Sequence, residues 1–241
     1  MYQPRAYRHW IKDSGLVSFE VVVKETDLQI RAQRDLKAEA LDSILKRRTP
    51  LEQYIQSHPL FLSSLDPISV ERDAPDIVKN MAQAARIAGV GPMAAVAGAI
   101  AEAVGKDLLA YTPEVIVENG GDIFIKTLKT RLIGVYAGSS SLTGKLALKI
   151  APETTPLGIC TSSGTVGPSL SLGAADAVIV LSRSTALADA AATAIGNVVK
   201  GEGDVALAIE RAQTIKGVIG VVIIKGKKMG LWGKVEILSV G

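Results

Sequence analysis

Three polar segments in the C-terminal half of the chain carry residue types that suit ligand binding. They are Glu118-Asn119-Gly120-Gly121-Asp122, the run from Cys160 to Gly167, and the spaced trio Asp189, Thr193 and Asn197. Glycine lets backbone N–H groups approach a ligand closely, and successive N–H groups can surround an anion. We therefore interpret the three segments as parts of one divided site.

The third segment lies in a stretch of mostly Ala, Leu, Ile and Val that predicts a helix from about Thr185 to Val199. A helix that is apolar on almost every face is usually buried, and a buried carboxylate needs a distant partner or a metal ion. An alternative stays open at this point. Asp189 and Thr193 can instead be a hydrogen-bonded pair inside the core, and the glycine segments can be plain turns.

Several other chemistries do not fit the sequence. His9 and His58 lie far from the three segments, so we expect neither a Ser-His-Asp triad nor a histidine-rich zinc site. Cys160 has no histidine near it in sequence and is interpreted as a small buried residue rather than a nucleophile. The segment from Gly138 to Lys145 is one residue too long for a Walker A loop, and Leu146 stands where that loop needs Ser or Thr.

Composition indicates an ordinary globular protein. The chain has 241 residues, of which 48% are hydrophobic and 21% charged, and 27 basic against 24 acidic residues give a net charge of +3. Those charges are scattered along the chain rather than clustered. The single cysteine fits a reducing compartment, and Met1 to Ser14 lack the apolar region of a signal peptide. No apolar stretch approaches the length of a membrane span. We expect a cytoplasmic protein that binds neither nucleic acid nor membrane.

The predicted elements alternate in blocks. Two strands, Val17 to Val23 and Leu28 to Ala32, are followed by helices. Strands dominate from Glu114 onward. Two further helices come next, and the chain then forms a final hairpin of Val218 to Lys225 with Met229 to Leu238. Blocks of this kind favour an α+β protein with mostly antiparallel sheets and packed helices. The order of hairpin, helix pair and strands occurs twice, which leaves an internal duplication open.

Two helical segments have more specific signals. Asp35 is expected to cap a first helix, and Thr49-Pro50-Leu51-Glu52 reads as a capping box that starts the next one, with Pro50 at its first position. The helix that begins at Gly91-Pro92 presents the small residues Ala94, Ala95, Gly98 and Ala99. These predict tight packing of the helix on the sheet, and free N–H groups at its start facing a phosphate are the alternative.

The ordered runs Asn119 to Ile123, Thr161 to Gly164 and Ala188 to Ala194 resemble the signature of the ApbE superfamily, the flavin transferases. Within that superfamily, Lys24-Glu25-Thr26-Asp27-Leu28 and the string Gly158 to Gly167 resemble a branch of uncharacterised prokaryotic proteins. The resemblance implies an ApbE-like (T-fold-like) α+β architecture over residues 1–241 as a single domain, with two similar halves sharing one core as the alternative.

The resemblance also implies a reaction and its site. Transferases of this superfamily use magnesium to move the FMN part of FAD onto a threonine or serine of an acceptor protein, releasing AMP. By this resemblance Asp189 and Thr193 are metal ligands, and their i, i+4 spacing lets a carboxylate and a hydroxyl meet one hard cation. The residues expected to bind the flavin nucleotide, FAD or FMN, are Asn119, Gly120, Gly121, Asp122, Thr161, Ser162, Ser163 and Gly164.

The chain departs from the transferases at three places. Lys24 to Leu28 stands where they have Met-Gly-Thr, Ala97-Gly98-Ala99 lacks their lysine, and Pro168 stands where a histidine is more typical. A non-catalytic flavin- or nucleotide-binding accessory protein in redox or sulfur (homocysteine) metabolism therefore stays an alternative, and no catalytic residue is assigned. Because sheet edges in such folds often pair between subunits, a homodimer is a further expectation.

Overall fold

The computed structural model describes residues 15–164 and 172–240, and an antiparallel sheet of eight strands lies at its centre. The strands are β1 (Val17–Val23), β2 (Thr26–Ala32), β3 (Val115–Asn119), β4 (Asp122–Lys126), β5 (Arg131–Gly134), β6 (Leu146–Ile150), β7 (Leu157–Ser162), β8 (Ala177–Ser182), β9 (Val218–Lys225), β10 (Lys228–Gly233) and β11 (Ile237–Ser239). The large sheet has the order β1-β2-β3-β4-β7-β8-β9-β10, and β11-β6-β5 form a second sheet. The predicted α+β class with antiparallel sheets is confirmed.

Helices cover one face of the large sheet. They are α1 (Lys37–Ser57), α2 (Pro59–Ser63), α3 (Asp76–Ala88), α4 (Val96–Leu108), α5 (Thr185–Gly196) and α6 (Val205–Thr214), with a 3-10 turn at Pro92–Ala95 leading into α4. The main core lies between these helices and the sheet residues Val117, Phe124, Cys160 and Val180. Helices α4 and α5 therefore lie above the central strands that carry the polar segments.

The three-stranded sheet covers the opposite face. Its Leu148 and Ile150 pack with Ile125, Ile159 and Ile179 of the large sheet in a second core. Because successive side chains of a strand point to opposite faces, a central strand between two cores is apolar at nearly every position. This explains why the strands read as short continuous apolar runs rather than as alternating patterns.

The predicted break in the first long helix is wrong. Thr49 to Glu52 does not start a helix, because α1 runs without interruption from Lys37 to Ser57 with Pro50 in its interior. A proline inside a helix costs roughly 3 kcal/mol, and burying an aliphatic side chain contributes about 1.5–3 kcal/mol. Leu51 and Tyr54 beyond the proline are buried in the same core as Ala40 and Ile44 before it. Packing on the core thus maintains the helix across Pro50.

The prediction of one continuous strand from Met229 to Leu238 is also wrong. It divides into β10, which pairs with β9 in the large sheet, and β11, which pairs with β6 in the small sheet. Gly233 adopts φ +82 at the point of division, and the N–H of Lys234 donates to the carbonyl of Ile219 at 2.8 Å. This left-handed turn, which glycine adopts without strain, directs the chain from one sheet to the other.

The α3 helix ends at Gly89 in a left-handed conformation, as its sequence predicts. In the described part of the chain no single helix has both the length and the hydropathy to span a bilayer. The segments Asp76–Ala88 and Pro92–Leu108 reach that threshold only when they are added together across a bend of 103°.

Candidate functional site

The first polar segment forms the turn between β3 and β4. Asn119 and Asp122 face each other across the strand pair, and Gly120 (φ +68) and Gly121 (φ +105) form the two-residue turn between them. Two consecutive positive φ angles are typical of a type I′ hairpin, which explains the two glycines. The carboxylate of Glu118 accepts a hydrogen bond from the Gly121 N–H at 2.8 Å, which holds the turn in place.

The first and third segments meet above the sheet. Asp189, one turn into α5, accepts a hydrogen bond at Oδ2 from the Gly98 N–H of α4 at 2.8 Å. Asn119 donates from Nδ2 to the carbonyl of Ala97 at 3.1 Å, so the hairpin and α5 bind adjacent residues of α4. Three segments far apart in sequence therefore converge at Ala97 and Gly98.

Gly98 makes the close approach of α4 to α5 possible. A Cβ atom at this position would lie 2.5 Å from the carbonyl oxygen of Thr185 and 2.8 Å from the Cβ of Asp189. The predicted packing of this face on the sheet is wrong for Gly98, which contacts α5 instead. Gly105, which the sequence did not single out, lies on the sheet, where an added Cβ would be 2.1 Å from the Phe124 ring. The sequence signal for Gly98 was present, but its partner element could not be read from it.

Two carboxylates share this region. Burial raises the pKa of Asp189 well above its ordinary value, and the negative charge of Asp122 raises it further, while hydrogen bonds from Gly98 and Ala97 lower it. Asp122 is buried, and Asp189 is enclosed by protein although part of its surface still reaches solvent. Two carboxylates at close quarters repel each other, so a cation between or beside them would favour the ionised form of both.

Cys160 lies below the two carboxylates and is fully buried. Burial raises the pKa of its thiol, and the charges of Asp122 and Asp189 raise it further. Its Sγ donates to the carbonyl of Thr185 at 3.4 Å. A thiol in these surroundings stays protonated, so the structure agrees with the interpretation of Cys160 as a small buried residue.

The second segment begins in the last three residues of β7 and continues beyond the strand, beside the glycine turn. A Cβ at Gly121 would lie 4.0 Å from the Cβ of Thr161, and one at Gly196 would lie 3.4 Å from the Ser162 hydroxyl. Ser162 thus lies on the helix side of the sheet near the end of α5, and Thr161, the residue before it in β7, faces the opposite side beside the turn. Ser163 donates to the carbonyl of Ala175 at 3.5 Å.

Gly164 makes its contacts within the protein. Its N–H donates to the carbonyl of Ala175 at 2.9 Å, and its Cα lies so close to Gly173 that an added Cβ would be 2.2 Å from that carbonyl. The rest of the quoted string, Thr165 to Gly167, and also Pro168, lie outside the described residues.

Thr193 and Asn197 follow Asp189 along α5, and all three keep partial exposure. Asn197 caps the end of the helix, and its Oδ1 accepts from the Leu172 N–H at 3.0 Å. It therefore anchors the segment that leads to β8. Asp189 and Thr193 remain as one acid and one hydroxyl on a helix face that is open to solvent in part.

Glu102 of α4 is a residue that the sequence did not single out. Its Oε2 accepts from the N–H groups of Thr185 at 2.7 Å and Ala186 at 3.2 Å, while Oε1 binds Lys106 at 2.6 Å. The side chain is buried, so a carboxylate of the protein occupies the positive end of α5. A glutamate in an alanine-rich helix gives no sequence signal for this long-range contact.

The donor set fits a hard divalent cation. Within residues 15–164 and 172–240 no three His, Cys, Asp or Glu side chains lie close enough together to form a complete metal centre. Mg²⁺ does not require such a centre, because it is commonly held by one or two carboxylates together with waters and the phosphates of a substrate. Asp189 and Asp122 offer the carboxylates, and Thr193 offers a hydroxyl oxygen.

Comparison with known proteins identifies the relatives of the chain. Residues 8–218 match the family described as AbpE bacteria. A UPF0280 protein of Methanocaldococcus jannaschii is 45% identical over 221 residues, covering 89% of this chain and 90% of the relative. A UPF0280 protein of Methanocella arvoryzae is 43% identical over 213 residues, covering 88% of this chain and 86% of the relative.

Solved structures share the fold at low sequence identity. The apo flavinyl transferase ApbE of Pseudomonas stutzeri is 14% identical with a TM-score of 0.56, covering 91% of this chain and 95% of that chain. The flavin transferase ApbE of Vibrio cholerae is 14% identical with a TM-score of 0.54, covering 90% and 96%. These likenesses show the α+β fold of ApbE proteins for this chain.

Proposed function

We propose a function from the premise that this chain belongs to the AbpE bacteria family. In this proposal the chain binds FAD or FMN with Mg²⁺ and transfers the FMN part of FAD to an acceptor protein. The observation that carries the proposal is the pair of carboxylates, Asp122 and Asp189, beside a glycine turn. The solved structures of this fold include proteins named flavin transferases. The proposed unit is one domain over residues 1–241.

The bond changes of the proposed reaction are those of phosphoryl transfer. A threonine or serine hydroxyl oxygen of the acceptor forms a bond to the FMN phosphorus, and the bond from that phosphorus to the phosphate oxygen of AMP breaks. AMP leaves with that oxygen, and the hydroxyl proton passes to water. A bound magnesium ion would neutralise charge on the pyrophosphate and the departing AMP phosphate. Catalysis of this kind depends mainly on position and charge, and it needs no protein nucleophile.

The residues of this chain would position the cation and the nucleotide. Asp189, held by the Gly98 N–H, and Thr193 would bind Mg²⁺, and Asp122 would be the second acidic group. The turn at Gly120 and Gly121 presents backbone without side chains, which lets a phosphate or a flavin edge approach it. Thr161, beside that turn, and Ser162, on the α5 side of the sheet, would donate hydroxyl hydrogen bonds to the same ligand from the end of β7.

A second candidate function is non-catalytic binding of the flavin nucleotide, as an accessory protein in redox or sulfur metabolism. One observation favours it. Among the described residues the one histidine is His58, at the end of α1, where its ring stacks on Tyr54 with centroids 4.0 Å apart. That histidine is held by the α1 terminus and is not part of the carboxylate pair, so the described site offers no imidazole to accept the hydroxyl proton.

The test is incubation of the purified protein with FAD and MgCl₂, in which water takes the place of the acceptor hydroxyl and FMN and AMP are the products. AMP is measured by chromatography and FAD affinity by calorimetry. Asp189→Asn keeps the shape of the side chain and removes its charge, and Asp42→Asn on the exposed face of α1 is the matched control. We expect AMP release by the wild type and the control and its loss in Asp189→Asn. Equal AMP release by both variants would refute the assignment of Asp189, and FAD binding without AMP would select the accessory function.

A further inference from the structure

Strand β10 forms one edge of the eight-stranded sheet. In the part of the chain that the structure describes, β9 is the one strand that pairs with it, over all 6 residues of Lys228–Gly233. A strand at the edge of a sheet presents a row of unpaired backbone N–H and C=O groups on its outer side. Such an edge is a template on which another strand can pair.

The edge at β10 lacks the features that usually prevent such pairing. Proteins protect sheet edges with charged side chains, prolines, bulges or very short strands. From Met229 to Gly233 there is no charged residue and no proline, and the pairing with β9 runs without a register shift. Met229 and Leu231 lie on the same face of the strand and are 38% and 49% exposed. A regular and apolar edge of this kind favours the addition of a strand.

The opposite edge of the sheet, at β1, carries a charge in its middle. When two copies of a strand pair antiparallel over their full length, the middle residue lies directly opposite its own copy. In β1 that residue is Glu20. Like charges directly opposite each other are destabilising, so β1 is protected against pairing with itself.

Strand β10 is complementary to itself in one register. Directly opposite residues of an antiparallel pair project to the same face, so a two-fold axis perpendicular to the sheet passes between a residue and its copy. With the axis at Gly230, Met229 lies opposite Leu231 of the second copy and Lys228 lies opposite Trp232. This register brings the two exposed apolar side chains together and places no like charges opposite each other. With the axis at Leu231, Met229 would instead face Gly233, which has no side chain.

Helix α6 lies beside the same edge. A Cβ added to Gly230 would lie 3.4 Å from the Cγ1 atom of Ile209, so this side of α6 lies over β10, whereas Arg211 donates to a carbonyl of α3 on the other side. Ala206 and Gln213, three residues before and four after Ile209, share its side of the helix and are exposed. The side of α6 toward the sheet edge is therefore uncharged at these three positions.

The spacing of a sheet brings α6 close to its copy when two β10 strands pair. Adjacent strands lie about 4.8 Å apart, and α6 packs on both β9 and β10, so its axis is roughly one strand spacing from the two-fold axis. The two α6 helices would then be about 10 Å apart, which is the upper end of the usual distance between packed helices. A second copy thus meets a helix surface as well as a strand edge.

We propose that the chain forms a two-fold symmetric dimer in which β10 pairs antiparallel with β10 of a second copy, in the register centred on Gly230. The two large sheets join into one continuous sheet, and the two α6 helices pack on each other above the junction. The inference does not depend on the proposed function, because no residue of the carboxylate site lies in β10 or α6.

The test is sedimentation velocity over a series of protein concentrations, with three double variants. The like-charge variant, Met229→Lys with Leu231→Lys, places positive charges opposite each other, and the opposite-charge variant, Met229→Glu with Leu231→Lys, places a negative charge opposite a positive one. Val17→Lys with Val22→Lys is the matched control, because it adds the same charge at exposed positions of the other edge strand. All four positions are exposed, so the variants should fold, and circular dichroism checks this.

We expect the wild type, the control and the opposite-charge variant to be dimers in the micromolar range. The dimer of the like-charge variant should be at least about tenfold weaker, since two pairs of like charges oppose each other across the axis. A wild type that stays monomeric throughout the series, or a like-charge variant that dimerises as the wild type does, would overturn the inference. Dissociation of the like-charge and opposite-charge variants alike would overturn the register centred on Gly230 and with it the dimer proposed here.

Discussion

Gly98→Ala is the substitution for which the structure gives the sharpest expectation. The new Cβ would lie 2.5 Å from the carbonyl oxygen of Thr185 and 2.8 Å from the Cβ of Asp189. Both distances are below any normal contact, and neither atom is the free end of a flexible side chain. Helix α4 must therefore move away from α5, and the bond of 2.8 Å from the Gly98 N–H to Asp189 must lengthen.

The magnitude follows from two opposing contributions. Overpacking a core costs about 1–3 kcal/mol, and replacing glycine by alanine inside a helix returns up to about 1 kcal/mol. With two forbidden contacts we expect a net loss of roughly 1–2 kcal/mol in the free energy of unfolding. For a chain of this length that loss lowers the melting temperature by about 2–8 °C.

The assay combines urea unfolding with titration of FAD and Mg²⁺. Gly105→Ala is the matched control, because it also crowds an α4 glycine, with its Cβ 2.1 Å from the Phe124 ring rather than beside Asp189. We expect both variants to lose stability and Gly98→Ala alone to lose affinity for the cation. A Gly98→Ala protein as stable as the wild type, or one that binds like Gly105→Ala, would refute the reasoning.

Two further predictions concern buried charge. Burial, and then the charge of Asp122, raise the pKa of Asp189, so the folded state holds this proton more tightly than the unfolded state does. Without a divalent cation, the free energy of unfolding should therefore fall as pH rises above 3.8. Asp189→Asn should remove that slope in urea unfolding at a series of pH values, and an unchanged slope would contradict the assignment. Burial by itself would raise the pKa of Glu114, but the Arg131 guanidinium together with hydrogen bonds from the Leu128 N–H and the Thr127 hydroxyl outweighs it, and the pKa is lowered. Arg131→Met should cost about 3–5 kcal/mol, since it leaves Glu114 buried without its partner, and Glu114→Leu added to it should recover most of that loss in the same assay.

The sequence predicted the elements better than their partners. Strand β9 begins and ends where its apolar run, Val218 to Lys225, predicts, because that run is set by burial on both sides of the sheet. The prediction that a helix starts at Thr49 was wrong because a tertiary contact outweighs a local pattern there. The capping-box pattern is a local signal, and the burial of Leu51 and Tyr54, which is a tertiary effect, determines that α1 continues.

In the candidate site, too, local features could be predicted from the sequence and long-range contacts could not. The turn at Gly120 and Gly121 was readable because consecutive glycines before a strand have few other uses. The contact between Gly98 and Asp189 joins positions 91 residues apart and leaves no trace in either local pattern. The role of Glu102 was missed because its partners are backbone N–H groups, which every residue carries.

The position of Glu102 affects how ligands must enter the site. Its carboxylate already occupies the start of α5, so that helix end is not available to a phosphate. In the proposed reaction, an incoming pyrophosphate would instead meet the acids Asp122 and Asp189. Under that proposal the bound cation would raise the affinity for the nucleotide, and by thermodynamic reciprocity the nucleotide would raise the affinity for the cation by the same factor. Where the magnesium concentration is held steady, the nucleotide concentration alone would set the occupancy of the protein.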